Sequence, residues 1–119
     1  MKEIKLLLAT FGLACLFSTS SSYADEIKLL QKNKRFYLKA DDGKLKRIKK
    51  LEINKGDKVT FINKDNVSHN VYSKGDVANF EISKQAPGTS GSVIFDKAGK
   101  THVRCAIHPR MRLKLKINE

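Results

Sequence analysis

Three side chains able to bind a soft metal ion lie close together near the end of this sequence. Cys105, His108 and Met111 are each three residues from the next, and His69 offers a second imidazole upstream. Two imidazoles and a thiolate in a trigonal plane, with a weak axial thioether, form the ligand set that holds copper for one-electron transfer. The residue types and their spacing therefore predict a site for one copper ion per chain.

Each of these residues also has an ordinary structural explanation. A single His in a loop is usually solvated, Met111 could share a buried face with Leu113, and Cys105 could be a small buried hydrophobic residue. Zinc is disfavoured by the methionine, and a Cys/His nucleophile pair three residues apart lacks an obvious third group to orient it. His102 falls on the solvent side of its strand by alternation, so we do not expect it to bind metal. The combination of four donors is what favours copper.

The start of the sequence has the pattern of an export signal. Two lysines precede an apolar run over residues 6–17, which is too short to span a bilayer, and small residues lead to an expected cleavage site after Ala24. One alternative is a retained membrane anchor, which is disfavoured because no stop-transfer segment follows. The other is a lipoprotein acylated at Cys15, which is disfavoured because Cys15 lies inside the apolar run. We predict a periplasmic protein with a signal peptide over residues 1–24 and one copper-binding domain over residues 25–119.

Cleavage would leave 95 residues with a single cysteine, enough for one domain and one core. An exported protein with a lone thiol cannot form an internal disulfide. Cys105 is then a free reactive thiol, an intermolecular linker or a ligand. The spacing of its His and Met neighbours favours the ligand.

The chain is strongly basic, with 24 Lys and Arg against 12 Asp and Glu and a net charge of +12. Without residues 1–24 the counts are 22 and 11, which gives +11. This balance predicts an anionic partner, either an acidic redox protein or an anionic membrane surface, because opposite fields speed encounter. We expect no nucleic-acid binding, since there is no Trp and no aromatic interleaving among the lysines. We also expect no stable membrane insertion and a monomeric protein. Alternatively, the lysines serve solubility and protect strand edges.

Hydrophobic residues alternate with polar ones wherever the pattern is clear, which indicates strands. At the end of one strand, the inward-facing residues would be Thr101, Val103 and Cys105. The final strand alternates in the same way from Met111 onward. Its inward residues would be Leu113, Leu115 and Ile117, and its outward residues Arg112, Lys114, Lys116 and Asn118. Seven or eight short strands separated by Gly and Asp turns predict an all-β sandwich or barrel. The stretch from Val77 to Ser90 is expected to be a loop.

The quoted residues resemble the ligand pattern of the cupredoxins, the small type 1 blue copper proteins, and especially their plastocyanin-like and amicyanin-like members. His69 is followed by Asn70, and the similarity extends through 53–65, 67–71 and 95–99. The short gaps between Cys105, His108 and Met111 resemble the amicyanin-like loop. The resemblance implies a Greek-key β-sandwich of seven to eight strands, with His69, Cys105, His108 and Met111 as copper ligands and Asn70 tying the two ligand-bearing loops together.

The ligand loop departs from that pattern at Ile107, where plastocyanin-like and amicyanin-like members have proline. Unlike proline, Ile107 has a backbone N–H that can donate a second hydrogen bond to the Cys105 sulfur. Such a bond would withdraw charge from the thiolate and stabilise Cu(I). This interpretation predicts a lower reduction potential in an Ile107→Pro variant.

The resemblance also implies that electrons enter and leave at the solvent edge of His108. We therefore expect a partner to dock on the neighbouring residues Arg104, Pro109, Arg110 and Arg112. The favoured function is a periplasmic one-electron carrier, not an enzyme, between a dehydrogenase, cytochrome or oxidase and its counterpart. The alternatives are a periplasmic copper-binding or delivery protein and a basic domain that binds an anionic surface and keeps a vestigial site.

Overall fold

The computed structural model describes residues 24–119, which form a sandwich of two five-stranded β-sheets. The predicted signal peptide therefore lies outside the described residues except for Ala24, and it stays a prediction. One sheet has the strand order β3-β2-β1-β5-β8 and the other β4-β10-β9-β6-β7. The strands are β1 Glu26–Lys32, β2 Arg35–Lys39, β3 Leu45–Arg47, β4 Lys50–Asn54, β5 Lys58–Asn63, β6 His69–Ser73, β7 Phe80–Gln85, β8 Ser90–Ile94, β9 Gly99–Arg104 and β10 Arg112–Asn118.

The all-β prediction is confirmed, and so is the alternation that places the last two strands. In β10 the residues Leu113, Leu115 and Ile117 are at most 2% exposed, whereas the lysines between them face solvent. Val103 and Cys105 are buried at the end of β9 in the same way. No part of residues 24–119 forms a helix that is long and apolar enough to cross a membrane.

The described chain has ten strands, not seven or eight, because two segments without a clear alternation also pair. β3 is three exposed residues on the edge of its sheet. β7 lies within the stretch that the sequence predicted to be a loop, and that prediction is wrong. Phe80 and Ile82 do alternate inward, but Lys84 adopts a left-handed φ of 45° and the pairing with β6 shifts register, so the apolar pattern breaks after two residues.

The sheet pairing brings distant residues to one end of the sandwich. β6 begins at His69 and β9 ends at Arg104, and the two strands are antiparallel, with Tyr72 opposite Arg104. Residues 105 and 106, which follow β9, therefore lie beside the start of β6, where Asn70 bonds both of them. The segment 105–111 connects β9 to β10 across this same end, which we call the ligand pole.

Phe61 is fully buried between Phe36 and Phe80, with its ring centroid 6.3 and 6.4 Å from theirs. Its substitution tests the packing of the core. Phe61→Ala should lower the free energy of unfolding by about 3–5 kcal/mol, because it removes buried area and leaves a cavity. Urea unfolding of the metal-free protein measures this. Leu45→Ala, at an exposed edge position, should change the free energy by no more than about 0.5 kcal/mol. Equal effects of the two substitutions would contradict the assigned core.

Candidate metal centre

Three potential ligand atoms converge at the ligand pole. The Cys105 sulfur lies 3.8 Å from His69 Nδ1 and 3.7 Å from His108 Nδ1, and the two nitrogens are 3.0 Å apart. All three atoms lie within 4.8 Å of one another. Among residues 24–119, this is the one group of three or more His, Cys, Asp or Glu residues close enough to share a metal ion.

The spacing of these atoms fits a small metal ion. Metal–nitrogen and metal–sulfur bonds of about 2.0–2.3 Å in a trigonal plane place a sulfur about 3.7 Å from each nitrogen and the nitrogens about 3.5 Å apart. The sulfur–nitrogen distances already match, and the imidazoles need to part by about half an ångström. A thiolate with two imidazoles suits copper and also zinc by donor type.

Burial and a carboxylate fix the orientation of His69. Its ring is fully buried, and its Nε2–H donates to Asp65 Oδ2 at 3.0 Å. This hydrogen bond leaves the lone pair of Nδ1 directed at the Cys105 sulfur, which is the form that binds a metal. Desolvation acts to raise the pKa of Asp65, but hydrogen bonds from the Lys34 N–H, His69 and the Asn66 N–H outweigh it, so the pKa lies below its ordinary value.

His108 lies at the outer edge of the cluster and is half-buried, in contrast to His69. Desolvation lowers its pKa, and electrostatic interactions with His69 and Lys34 lower it further, against a smaller opposing effect of Asp65. The lowered pKa favours the neutral imidazole, and metal binding needs that form. Of the three converging groups, His108 is the one that reaches solvent.

Asn70 joins the two chain segments that carry the cluster. Its backbone N–H donates to the Cys105 sulfur at 3.4 Å, and its side-chain oxygen accepts from the Ala106 N–H at 2.7 Å. Its side-chain nitrogen donates to Glu81 Oε2 at 3.0 Å. These three bonds fix the sulfur relative to β6.

Met111 ends the loop that carries Cys105 and His108 and is 2% exposed. Its N–H donates to the His108 carbonyl at 2.8 Å, and its own carbonyl accepts from the Cys105 N–H at 3.3 Å. The backbone of the loop therefore holds Met111 at the same buried end as the three donor atoms. Its role as the fourth ligand stays a prediction.

The other residues singled out from the sequence have mixed placements. Ile107 is 54% exposed, and within residues 24–119 the Cys105 sulfur accepts a backbone hydrogen bond from Asn70 and none from Ile107. The second bond on which the predicted effect of Ile107→Pro depends is therefore missing here. Pro109, Arg110 and Arg112 are exposed beside His108, whereas Arg104 is half-buried.

Sequence reasoning missed two residues that support the site, Asp65 and Glu81. Asp65 lies four residues before His69, and a carboxylate at that distance was a usable signal. Glu81 is 11 residues from Asn70 and reaches it through the β6–β7 pairing, which the sequence did not predict.

Comparison with known protein families gives one match that covers most of the chain. The profile of the copper binding proteins of the plastocyanin/azurin family matches residues 34–118. This range contains all four predicted ligands and Asn70.

Individual relatives are more distant. The methylamine utilization protein MauL of Methylorubrum extorquens is 32% identical over 68 residues, which are 56% of this chain and 60% of the relative. The chain thus spans less than two thirds of that protein's length. Among solved structures, amicyanin from Paracoccus versutus is 21% identical with a TM-score of 0.62, over 80% of this chain and 83% of amicyanin. A copper-containing nitrite reductase from Thermus scotoductus is 23% identical with a TM-score of 0.65, over 79% of this chain and 22% of the reductase. At these identities the structures share the fold.

The contact between Asp65 and His69 predicts a role for the carboxylate in metal affinity. Asp65→Asn keeps the shape but removes the charge that orients His69, so copper affinity should fall about 10–100-fold. Competition with a chelator of known affinity measures it. Asp76→Asn, an exposed position in the turn after β6, is the matched control and should leave the affinity unchanged. An unchanged affinity in Asp65→Asn would show that burial alone orients His69.

The hydrogen bonds of Asn70 predict a stability effect without metal. Asn70→Ala leaves the Ala106 N–H without its acceptor, so the free energy of unfolding of the metal-free protein should fall by about 1–3 kcal/mol. Asn66→Ala, at an exposed position in the loop before β6, should stay within about 0.5 kcal/mol of the parent protein. Chemical unfolding of both variants distinguishes a structural link from a general effect of losing an amide.

Proposed function

We propose that this chain, which belongs to the plastocyanin/azurin family of copper-binding proteins, is a one-electron carrier that holds one copper ion through His69, Cys105, His108 and Met111. Family membership confirms the resemblance to the cupredoxins. The observation that carries the proposal is the convergence of one thiol and two imidazoles within 4.8 Å, with a single one of them reaching solvent.

These four residues would hold copper, which would supply a Cu(II)/Cu(I) couple that accepts one electron from a reduced donor and passes it to an oxidised acceptor. The protein's part is to keep the donor atoms in place through the cycle. Asp65 holds His69, and Asn70 holds the Cys105 sulfur. Both contacts are largely buried, so the ligand geometry has little freedom to change when the charge of the site changes.

Electrons are proposed to pass through the His108 ring. Cys105 and Met111 are each 2% exposed and His69 is fully buried, so among the four proposed ligands His108 gives the shortest route to solvent. Pro109 and Ile107 are exposed beside it and offer an apolar surface on which a partner can approach closely.

The partner is proposed to be an acidic redox protein, and the location the periplasm. Support comes from the basic residues beside His108 and from the export pattern in residues 1–24. The name of one relative refers to methylamine utilization. We do not carry that role over to this chain. We propose no catalysis by this chain: the resemblance to the nitrite reductase covers 22% of that enzyme and concerns the shared fold.

Burial also separates the carrier from the alternative, a copper-delivery protein. Transfer of a metal ion to another protein requires incoming ligands to reach it before the old ones leave. Here the thiol and one imidazole are closed off, and among residues 24–119 no second cluster of metal-binding side chains lies nearby to relay the ion. The arrangement favours retention of copper.

The visible absorption spectrum tests the proposed function. Addition of Cu(II) to the purified protein should produce an intense thiolate-to-copper band that saturates at one copper per chain, bleaches with ascorbate and returns on reoxidation. Cys105→Ser should lack the band because the thiolate is its source. A colourless complex, or oxidation of the thiol by Cu(II), would contradict the carrier.

Metal retention distinguishes the carrier from the delivery protein. The copper-loaded protein, mixed with an excess of a metal-free copper protein, should keep its copper and its band through repeated reduction and reoxidation. Rapid loss of the band, with copper appearing in the acceptor, would favour delivery. A copper-loaded variant Asp65→Asn should lose copper faster than the parent, since its His69 is less firmly held.

A further inference from the structure

A basic groove runs beside the exposed edge of His108. It has a volume of about 970 Å³, and both sheets contribute to it. One wall is formed by residues 33–36, at the β1–β2 turn, and by residues 47–49, at the end of β3 and in its link to β4. This wall meets the other where the Lys49 carbonyl accepts from the Lys114 N–H. The other wall is formed by residues 107–112 of the ligand loop together with His102 and Lys114. We call this the pole groove.

Cations line both walls of the pole groove, and no Asp or Glu lines it. Four of the seven cations come from the first wall and three from the second. All seven residues are exposed, and within residues 24–119 none of them forms a salt bridge. They are Lys34, Arg35, Arg47, Lys49, Arg110, Arg112 and Lys114.

This arrangement is unfavourable for the empty protein. Arg112 lies directly opposite Arg104 across the β9–β10 pair, and Lys114 lies opposite Lys50 of β4. Like charges at directly opposed positions of a sheet destabilise it. A ligand that brings negative charge between the walls reduces this repulsion. Anion binding is therefore favoured both by attraction to the cations and by the reduced repulsion among them.

The lining also differs from that of a typical small-molecule pocket. Pockets for small organic molecules are lined mainly by apolar and aromatic side chains with a few polar groups. The pole groove instead combines seven cations with the apolar side chains Phe36, Ile48, Ile107, Pro109 and Met111. An open groove lined by cations from two separate parts of the chain suits an extended segment that carries several carboxylates.

We propose that the pole groove binds a carboxylate-rich extended segment of the redox partner and so holds that partner beside His108. The proposal rests on the proposed function, because His108 and Met111 lie in the wall of the groove. It adds a second set of contacts, from the β1–β2 turn and the β3–β4 link, which lie far from the ligand loop in sequence. Two-walled contact fixes the orientation of the partner, which a single patch of charge does not.

Two sets of substitutions with equal charge change test the groove. The groove set removes the cations of the first wall, which are distant from the ligands in sequence: Lys34→Asn, Arg35→Gln, Arg47→Gln and Lys49→Gln. Asn is chosen at position 34 because φ there is 58°, a left-handed value that Asn tolerates. The control set removes four exposed cations at the opposite end of the sandwich: Lys44→Gln, Lys74→Gln, Lys97→Gln and Lys100→Gln.

The probe is a synthetic oligoglutamate peptide of about eight residues, titrated at low and at physiological ionic strength. The groove set should bind it at least about tenfold more weakly than the parent protein, since several surface charge contacts are lost together. The control set should stay within about twofold of the parent, although its net charge is the same as that of the groove set. Binding to the parent should weaken as salt is added.

A kinetic measurement locates the bound peptide. Saturating peptide should slow the oxidation of the reduced parent protein by hexacyanoferrate(III), because it occupies the surface beside His108 and cancels the positive field that attracts this anionic oxidant. The groove set at the same peptide concentration should show little of this slowing.

Three outcomes would overturn the proposal: equal loss of peptide affinity in the two sets, no loss in either, or tighter binding to phosphatidylglycerol vesicles than to the peptide with loss in the groove set. The last outcome would assign the groove to an anionic membrane surface. Titration of the peptide is repeated with metal-free protein, so its result does not depend on copper. Absence of the visible band from the parent protein would refute the proposed function while leaving the peptide titration interpretable.

Discussion

The site depends on one constraint, the contact between the start of β6 and the two residues that follow β9. Asn70 fixes that contact at the ligand pole, because it bonds the Cys105 sulfur through its N–H and the Ala106 N–H through its side chain. The distance between the sulfur and His69 follows from these two bonds. The loop to β10 then needs only five residues between Cys105 and Met111 to bring His108 to the third position.

Two imidazoles with different surroundings serve one ion. His69 is buried and bonded to a carboxylate, which holds its ring still, whereas His108 is half-buried and faces the groove. A carrier needs a site that rearranges little and still lies near solvent at one point. The buried ligands meet the first need and the edge ligand meets the second, and a delivery protein would need more than one accessible ligand.

The positive charges of the chain are unevenly distributed, and many of them cluster beside His108. Seven cations line the pole groove, and within residues 24–119 none of them forms a salt bridge, whereas the carboxylates of Glu26, Glu52 and Glu119 pair with lysines away from the groove. Like charges on facing walls cost stability, although solvent and salt reduce that cost. A protein that required only solubility would gain as much from a dispersed arrangement, so the clustering beside His108 points to a use at the site.

The sequence by itself determined the all-β class, the inward faces of β9 and β10 and the four candidate ligands, because alternation and ligand chemistry are local properties of the chain. It did not reveal β7, whose alternation breaks at Lys84, or Glu81, which reaches Asn70 through that strand. It also did not join Lys34 and Arg47 to Arg110 in one groove. β7 and Glu81 depend on strand pairing within one sheet, and the groove depends on the packing of the two sheets. No local pattern in the sequence records either.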